Sequence, residues 1–174
     1  MSRVALWLPL SLFALFAVVV GIGLTRQDGR TIPSKMIGQP IPAFDLPPAQ
    51  EGRPGLASTD LVGQPRLVNI FASWCLPCRV EAPQLEQLKL AGVRIEGVAI
   101  RDQPQDVARF LAQYGDPYDR IGSDRDSSVQ FALGSAGVPE TFIVDGRGIV
   151  RYQHVGEIRP EHLPMLLQKL ADAK

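Results

Sequence analysis

The chain opens on a run with no charged side chain from Val4 to Leu24, VALWLPLSLFALFAVVVGIGL, 21 residues long. As a helix, that length crosses a hydrocarbon core about 30 Å thick. A signal peptide that is cut off is the rival reading. Its apolar region is shorter, about 7–15 residues, and ends at an A-x-A-like site. No such site is evident here, although Gly21 and Gly23 are small. A buried soluble helix would show a polar face, and this run has none. The pattern is read as a tail at residues 1–3, an uncleaved anchor at 4–24, a polar Pro/Gly-bearing linker at 25–40 and a globular domain at 41–174.

Beyond the linker, residues 41–60 carry several prolines and read as extended structure with turns, suited to an edge hairpin. RLVNIF at 66–71 is a short apolar run rich in β-branched residues and reads as a buried strand. From Cys75 the pattern turns helical, with Val80, Leu85 and Leu88 near one face. Pro83 inside it predicts a kink. VRIEGVAI at 93–100 is the next strand. Val107, Phe110, Leu111 and Tyr114 then recur at helical spacing. Residues 116–137 read as an insertion, with a short strand at 118–121 and a helical turn near 127–132. TFIVD at 141–145 and IVRYQHV at 149–155 form a hairpin across Gly146-Arg147-Gly148. Leu163, Leu166, Leu167 and Leu170 mark a last helix, with Pro164 in its first turn. Strands alternating with helices in this order predict an α/β fold: a mixed sheet with helices on both faces.

Composition changes this picture little. Apolar residues make up 45% of the 174 residues, enough for a core. Lys plus Arg equals Asp plus Glu, 18 against 18. A nucleic-acid-binding surface would need clustered basic charge, so no nucleic acid partner is expected.

The candidate chemistry lies in the only two cysteines, Cys75 and Cys78. A structural zinc site needs four ligands, and the only histidines, His154 and His162, lie far along the chain and read as surface residues. No metal or other cofactor is expected. A structural disulfide closing so short a loop would remove little unfolded-state entropy. A redox pair fits the local pattern better. Cys75 falls where a strand turns into a helix, near unpaired N–H groups and the positive end of the helix dipole. That setting favours the thiolate, which is the attacking species in disulfide exchange. Cys78, one turn further on, is placed to resolve the mixed disulfide. Pro77 removes one N–H and stiffens the turn.

"WCLPC" after an apolar strand, with Pro83 following and "GVPETF" at 137–142, resembles the thioredoxin fold. With "WCLPCRVE", "GVPETFIVD", the anchor and "IGQPIPAFDLP" at 37–47, the chain is similar to the periplasmic cytochrome c biogenesis oxidoreductases of the CcmG/DsbE group, relatives of TlpA-like and ResA-like reductases. The resemblance covers residues 36–172. It implies a thioredoxin fold with an N-terminal β extension and a central insertion, and a domain facing the periplasm from the bacterial inner membrane. The flanking charges, with Arg26, Arg30 and Lys35 after the span, do not favour that orientation by themselves. The resemblance further implies a reductant. It would receive electrons from a CcdA- or DsbD-type membrane donor and pass them to apocytochrome c or a CcmH-like thiol protein.

By the same resemblance, Pro139 is a cis-proline packing against the cysteine pair, with Val138 preceding the bond. Glu81 and Glu140 are acidic residues tuning the site, and Trp74 with Pro77 shapes a docking surface. Arg79 reads as a solvated helix residue. Asn69 stands where thioredoxins proper carry a buried aspartate, a departure that draws attention to Glu81. Other readings are a TlpA-like reductase serving an oxidase copper site and a redox-inert binding module. A peroxiredoxin would need a Thr-x-x-Cys setting, which Ser73-Trp74-Cys75 does not supply. A Sco-type copper chaperone would carry three residues between its cysteines.

Overall fold

A computed structural model describes residues 3–25 and 34–173. Residues 1–2 of the expected tail and 26–33 of the expected linker lie outside the described residues. The chain divides into an N-terminal unit and a domain that begins at Pro33. In the first, α1 (Arg3–Thr25) forms a helix of 23 residues, with Pro9 inside it. Counting described residues alone, no helix is long and apolar enough to cross a membrane.

The domain begins earlier than residue 41. Gly38 N–H donates to the Val150 carbonyl at 2.7 Å, and Ser34 Oγ donates to the Leu133 carbonyl at 2.6 Å. Residues 34–40 therefore belong to the packed body rather than to a linker.

A small antiparallel hairpin, β1 (Asp45–Leu46) and β2 (Leu56–Ala57), comes first, as the proline-punctuated stretch predicts. The main elements follow: β3 (Arg66–Phe71), α2 (Leu76–Leu90), β4 (Ile95–Ile100), α3 (Pro104–Tyr114), β5 (Arg120–Asp124), α4 (Ser128–Ala132), β6 (Glu140–Val144), β7 (Val150–Val155) and α5 (Leu163–Asp172). The five long strands form one mixed sheet in the order β5-β4-β3-β6-β7. β3 is central, parallel to β4 and antiparallel to β6. Every residue of β3, β4 and β6 is buried, which is why their sequences read as near-continuous apolar runs.

Segment 116–137 is more than a surface insertion. It supplies β5, the edge strand parallel to β4, and then α4. The hairpin roofs that edge: Ala49 N–H donates to the Ile121 carbonyl at 3.0 Å and Ser123 N–H to the Pro47 carbonyl at 2.8 Å. β5 has little apolar signal because Gly122 sits directly under Leu46 and Leu56.

The buried face of α2 differs from the expected one. Cys78, Glu81, Ala82, Leu85 and Leu88 point inward, whereas Val80 is exposed. Those five recur at i, i+3, i+4, i+7 and i+10 from Cys78, one helical stripe that leaves Val80 on the other side. In α5, Leu166 and Leu170 are buried while Leu167 stays on the outer side. His154 is buried rather than at the surface, its ring against that of His162.

Candidate functional site

Three pieces of chain carry the expected site residues. β3 ends at Phe71, and the chain turns through Ala72, Ser73 and Trp74 into α2. Cys75 is the N-cap of α2, with Pro77 in the helix's first turn. Its Sγ accepts the Cys78 backbone N–H at 3.2 Å, so the sulfur occupies the place an oxygen takes in an ordinary cap. Cys75 and Cys78 are joined as a disulfide with Cα atoms 5.3 Å apart. When the bond is reduced, the same N–H and the helix N-terminus favour the Cys75 thiolate.

The turn before the pair is clamped. Asp102, buried just after β4, accepts Ser73 N–H and Ser73 Oγ–H, both at 2.6 Å. Arg79 is no solvated residue. Its Nη2 donates to the Ser73 carbonyl at 3.1 Å, and its guanidinium lies over the Tyr114 ring. The clamp holds Ser73 by its N–H, hydroxyl and carbonyl.

The second piece is the loop into β6. The Val138–Pro139 bond is cis, as the resemblance implies. Glu140, the first residue of β6, is buried. Its Oε1 accepts Ala136 N–H at 3.0 Å and its Oε2 accepts Gln153 Nε2–H at 2.8 Å. Both oxygens of Glu140 are thereby committed to holding the proline loop against β7. The Gly137 carbonyl accepts from Ser135 Oγ at 3.0 Å and Gln130 Nε2 at 3.3 Å, tying the same loop to α4.

The third piece is buried polar chemistry beneath the pair. Glu81 has no exposed surface. Its Oε1 accepts from Asn69 Nδ2 and its Oε2 from the Ile158 backbone N–H, each at 2.9 Å. Burial pushes the carboxyl up to about 7, against the lowering pull of those two hydrogen bonds, with the nearby charge of Glu157 adding to the rise. Cys78 and Glu81 stand three residues apart on the buried face of α2, the spacing at which helix side chains are neighbours. Glu81 is thus the helical neighbour of Cys78 on that face.

Asn69 is a hub of this cluster, which the sequence reading did not anticipate. Its Nδ2 also donates to Thr141 Oγ1 at 3.0 Å, and its Oδ1 accepts from Tyr118 OH at 2.7 Å. Sequence reasoning missed Tyr118, Thr141 and Asp102. Tyr118 looks like any aromatic at the start of a short strand, and Thr141 like any β-branched strand residue. Asp102 follows a strand as many loop aspartates do.

The rim is apolar. Trp74 is 54% exposed and Leu76 67% exposed, flanking a pair that is itself nearly closed from solvent. Exposed Val80 extends the patch along α2. Large exposed apolar side chains clustered beside a reactive group mark a surface that meets another molecule.

The arrangement is that of a thiol–disulfide oxidoreductase: a disulfide-linked C-x-x-C pair at a helix start, with a buried carboxyl nearby that burial pushes up to about 7. Among the described residues, no group of His, Cys, Asp and Glu is arranged to hold a metal ion.

The comparisons agree. The Redoxin family model matches residues 36–170. The "Thiol:disulfide interchange protein DsbE" of Pseudomonas aeruginosa is 40% identical over 99% of this chain and 97% of its own length. The "Thiol:disulfide interchange protein HelX" of Rhodobacter capsulatus is 37% identical over 91% of this chain and 90% of its own. Among solved structures, a thiol:disulfide interchange protein of the thioredoxin family from Chlorobium tepidum is 26% identical, with a TM-score of 0.63 over 77% of this chain and 94% of that one.

Proposed function

The chain belongs to the Redoxin family, among the thiol:disulfide interchange proteins of the CcmG/DsbE group, and from that premise we propose that it reduces disulfides in cytochrome c maturation. Its activity is that of a thiol–disulfide oxidoreductase. In this reading the N-terminal run anchors the chain in the bacterial inner membrane and the domain works in the periplasm. The uncharged run from Val4 to Leu24 supports the anchor, and the P. aeruginosa relative matches over 99% of the chain, so the run has a counterpart there.

The observation that carries the mechanism is the Cys75 sulfur held on the Cys78 N–H at the start of α2. In the reduced protein, the Cys75 thiolate attacks one sulfur of a substrate disulfide. The substrate S–S bond breaks, a Cys75–substrate disulfide forms, and the first substrate thiolate leaves and takes a proton. Cys78 then loses its proton, with Glu81 as the nearest acceptor along α2, and attacks the Cys75 sulfur. The mixed disulfide breaks, the second substrate thiol leaves, and the Cys75–Cys78 bond of this structure is the product. Two electrons have passed to the substrate, and a donor of the CcdA or DsbD type restores the dithiol.

The substrate in this reading is the C-x-x-C-H disulfide of apocytochrome c, or a CcmH-like thiol protein that relays to it. The exposed Trp74 and Leu76 supply an apolar seat for such a chain. The test is capture: the Cys78→Ser protein, expressed as the full chain, holds its substrate as a mixed disulfide on Cys75. Recovery of an apocytochrome or a haem-maturation thiol protein is the expected result. Recovery of oxidase copper-site proteins instead, or of no adduct at all, would overturn it.

A further inference from the structure

Tyr118 is absent from the exchange steps above, yet its hydroxyl reaches the hydrogen-bond cluster beneath the cysteines. It lies just ahead of β5, two strands away from the residue it contacts in the order β5-β4-β3. To get there the ring crosses β4 at Gly97, the residue paired with Asn69 in register. A Cβ on Gly97 would stand 3.0 Å from Tyr118 Cδ1 and 3.0 Å from Phe71 Cε1. The ring stacks on Phe71 at 4.8 Å between centroids, while the hydroxyl meets Asn69 at 2.7 Å. Asn69 and Phe71 are two residues apart on β3 and so share a face. One tyrosine is therefore gripped at its ring by Phe71, given room by Gly97, and aimed at a single amide oxygen.

That amide has two orientations of nearly equal shape and opposite hydrogen bonding. In the observed one, Nδ2 gives Glu81 a donor, which favours the carboxylate form. Flipped, the amide would turn Oδ1 to Glu81, an oxygen that only a protonated carboxyl can meet. Thr141 does not decide between them, because a hydroxyl can accept from Nδ2 or donate to Oδ1. Tyr118 does. Burial holds its hydroxyl well above the ordinary tyrosine range, so it keeps its proton, and Oδ1 is the acceptor that proton has. A flip would strand that proton in the core without an acceptor.

We propose that Tyr118 is a positioning residue for disulfide exchange: by pinning Asn69 Oδ1 it fixes an N–H on Glu81, and so sets the pH at which that carboxyl gives up its proton. The inference rests on the exchange reading of Cys75 and Cys78. The other groups facing Glu81 are Glu157 in the loop after β7 and, in the reduced protein, the Cys78 thiol one turn back on α2. Arg159 holds Glu157 below the usual carboxylate range, so Glu157 stays ionised throughout the window of interest.

The test follows the rate at which the reduced full chain reduces oxidised glutathione as pH is varied, with thermal midpoints measured alongside. The parent should show a titration near pH 7 that Glu81→Gln lacks. Tyr118→Phe keeps the stacked ring and loses the hydroxyl, and its titration should move upward by roughly one pH unit. Gly97→Ala, which crowds the ring from below, should move it the same way. In an Asn69→Ala background, adding Tyr118→Phe should produce no further movement, because the path through the amide is gone. A lower thermal midpoint with an unmoved titration in both Tyr118→Phe and Gly97→Ala would overturn the inference and leave the exchange reading standing. A further shift in the Asn69→Ala background would also overturn it. No exchange by the parent protein would overturn the exchange reading and the inference with it.

Discussion

Glu81 lies one helical turn beyond Cys78 on the inward face of α2, and both are closed from solvent. A carboxyl in that place raises the free energy of its own charged form. The sign of this effect sets how stability varies with pH. Glu81 titrates near 7 in the folded chain and near its ordinary 4.5 when unfolded, so between those values the folded state binds more protons. Its contribution is therefore fully favourable below about pH 4.5, falls as pH rises to 7, and is flat beyond. The difference amounts to about 3 kcal/mol at full desolvation. Comparing Glu81→Gln with the parent by denaturant unfolding cancels every other titrating group. The variant should gain stability relative to the parent between pH 5 and pH 8. A difference that does not vary with pH would mean that Glu81 titrates normally.

Asp102 places the Ser73 turn, and through it the start of α2. Asp102→Ala removes two charge-assisted hydrogen bonds and leaves Ser73 N–H partly buried. We expect a loss of about 2–3 kcal/mol in unfolding free energy and a several-fold slower reaction of Cys75 with a disulfide probe. An unchanged rate in a destabilised protein would mean that the clamp serves stability alone.

Trp74 contributes to the rim more than to the core. Trp74→Ala should alter unfolding free energy by no more than about 0.5 kcal/mol. It should also lower the yield of mixed disulfide captured by the Cys78→Ser protein, scored by gel under non-reducing conditions. An undiminished yield would remove Trp74 from the docking surface.

Gly122 lets the β1–β2 hairpin lie on β5. A methyl group there would stand 2.7 Å from Leu46 Cβ and 3.0 Å from Leu56 Cβ. Gly122→Ala should cost about 1–3 kcal/mol, read as a lower thermal midpoint, because two anchored side chains must move.

How far the sequence could be read depended on what each residue packs against. β3, β4 and the β6–β7 hairpin were legible because strands buried on both faces have little choice but to be apolar. The cysteine pair was legible because strand, C-x-x-C and helix follow one another within a few residues. The buried face of α2 was not, since Val80 is the better hydrophobe and Glu81 took its place. Only the Asn69 and Ile158 donors make that burial tolerable, and both are remote in sequence. β5 was legible only in outline, because its partner is a glycine-dependent contact with the hairpin rather than an apolar face. Tyr118 was hidden for a related reason: its value lies in Gly97, a residue notable for what it lacks.

In the proposed function, Cys75 and Cys78 are kept as thiols and react with substrate disulfides. The direct measurement is the redox state of the pair in living cells, fixed by acid quenching and alkylation, with and without the membrane electron donor. The pair should be mostly dithiol when the donor is present and shift to disulfide when it is removed. A steady disulfide in both strains would contradict it.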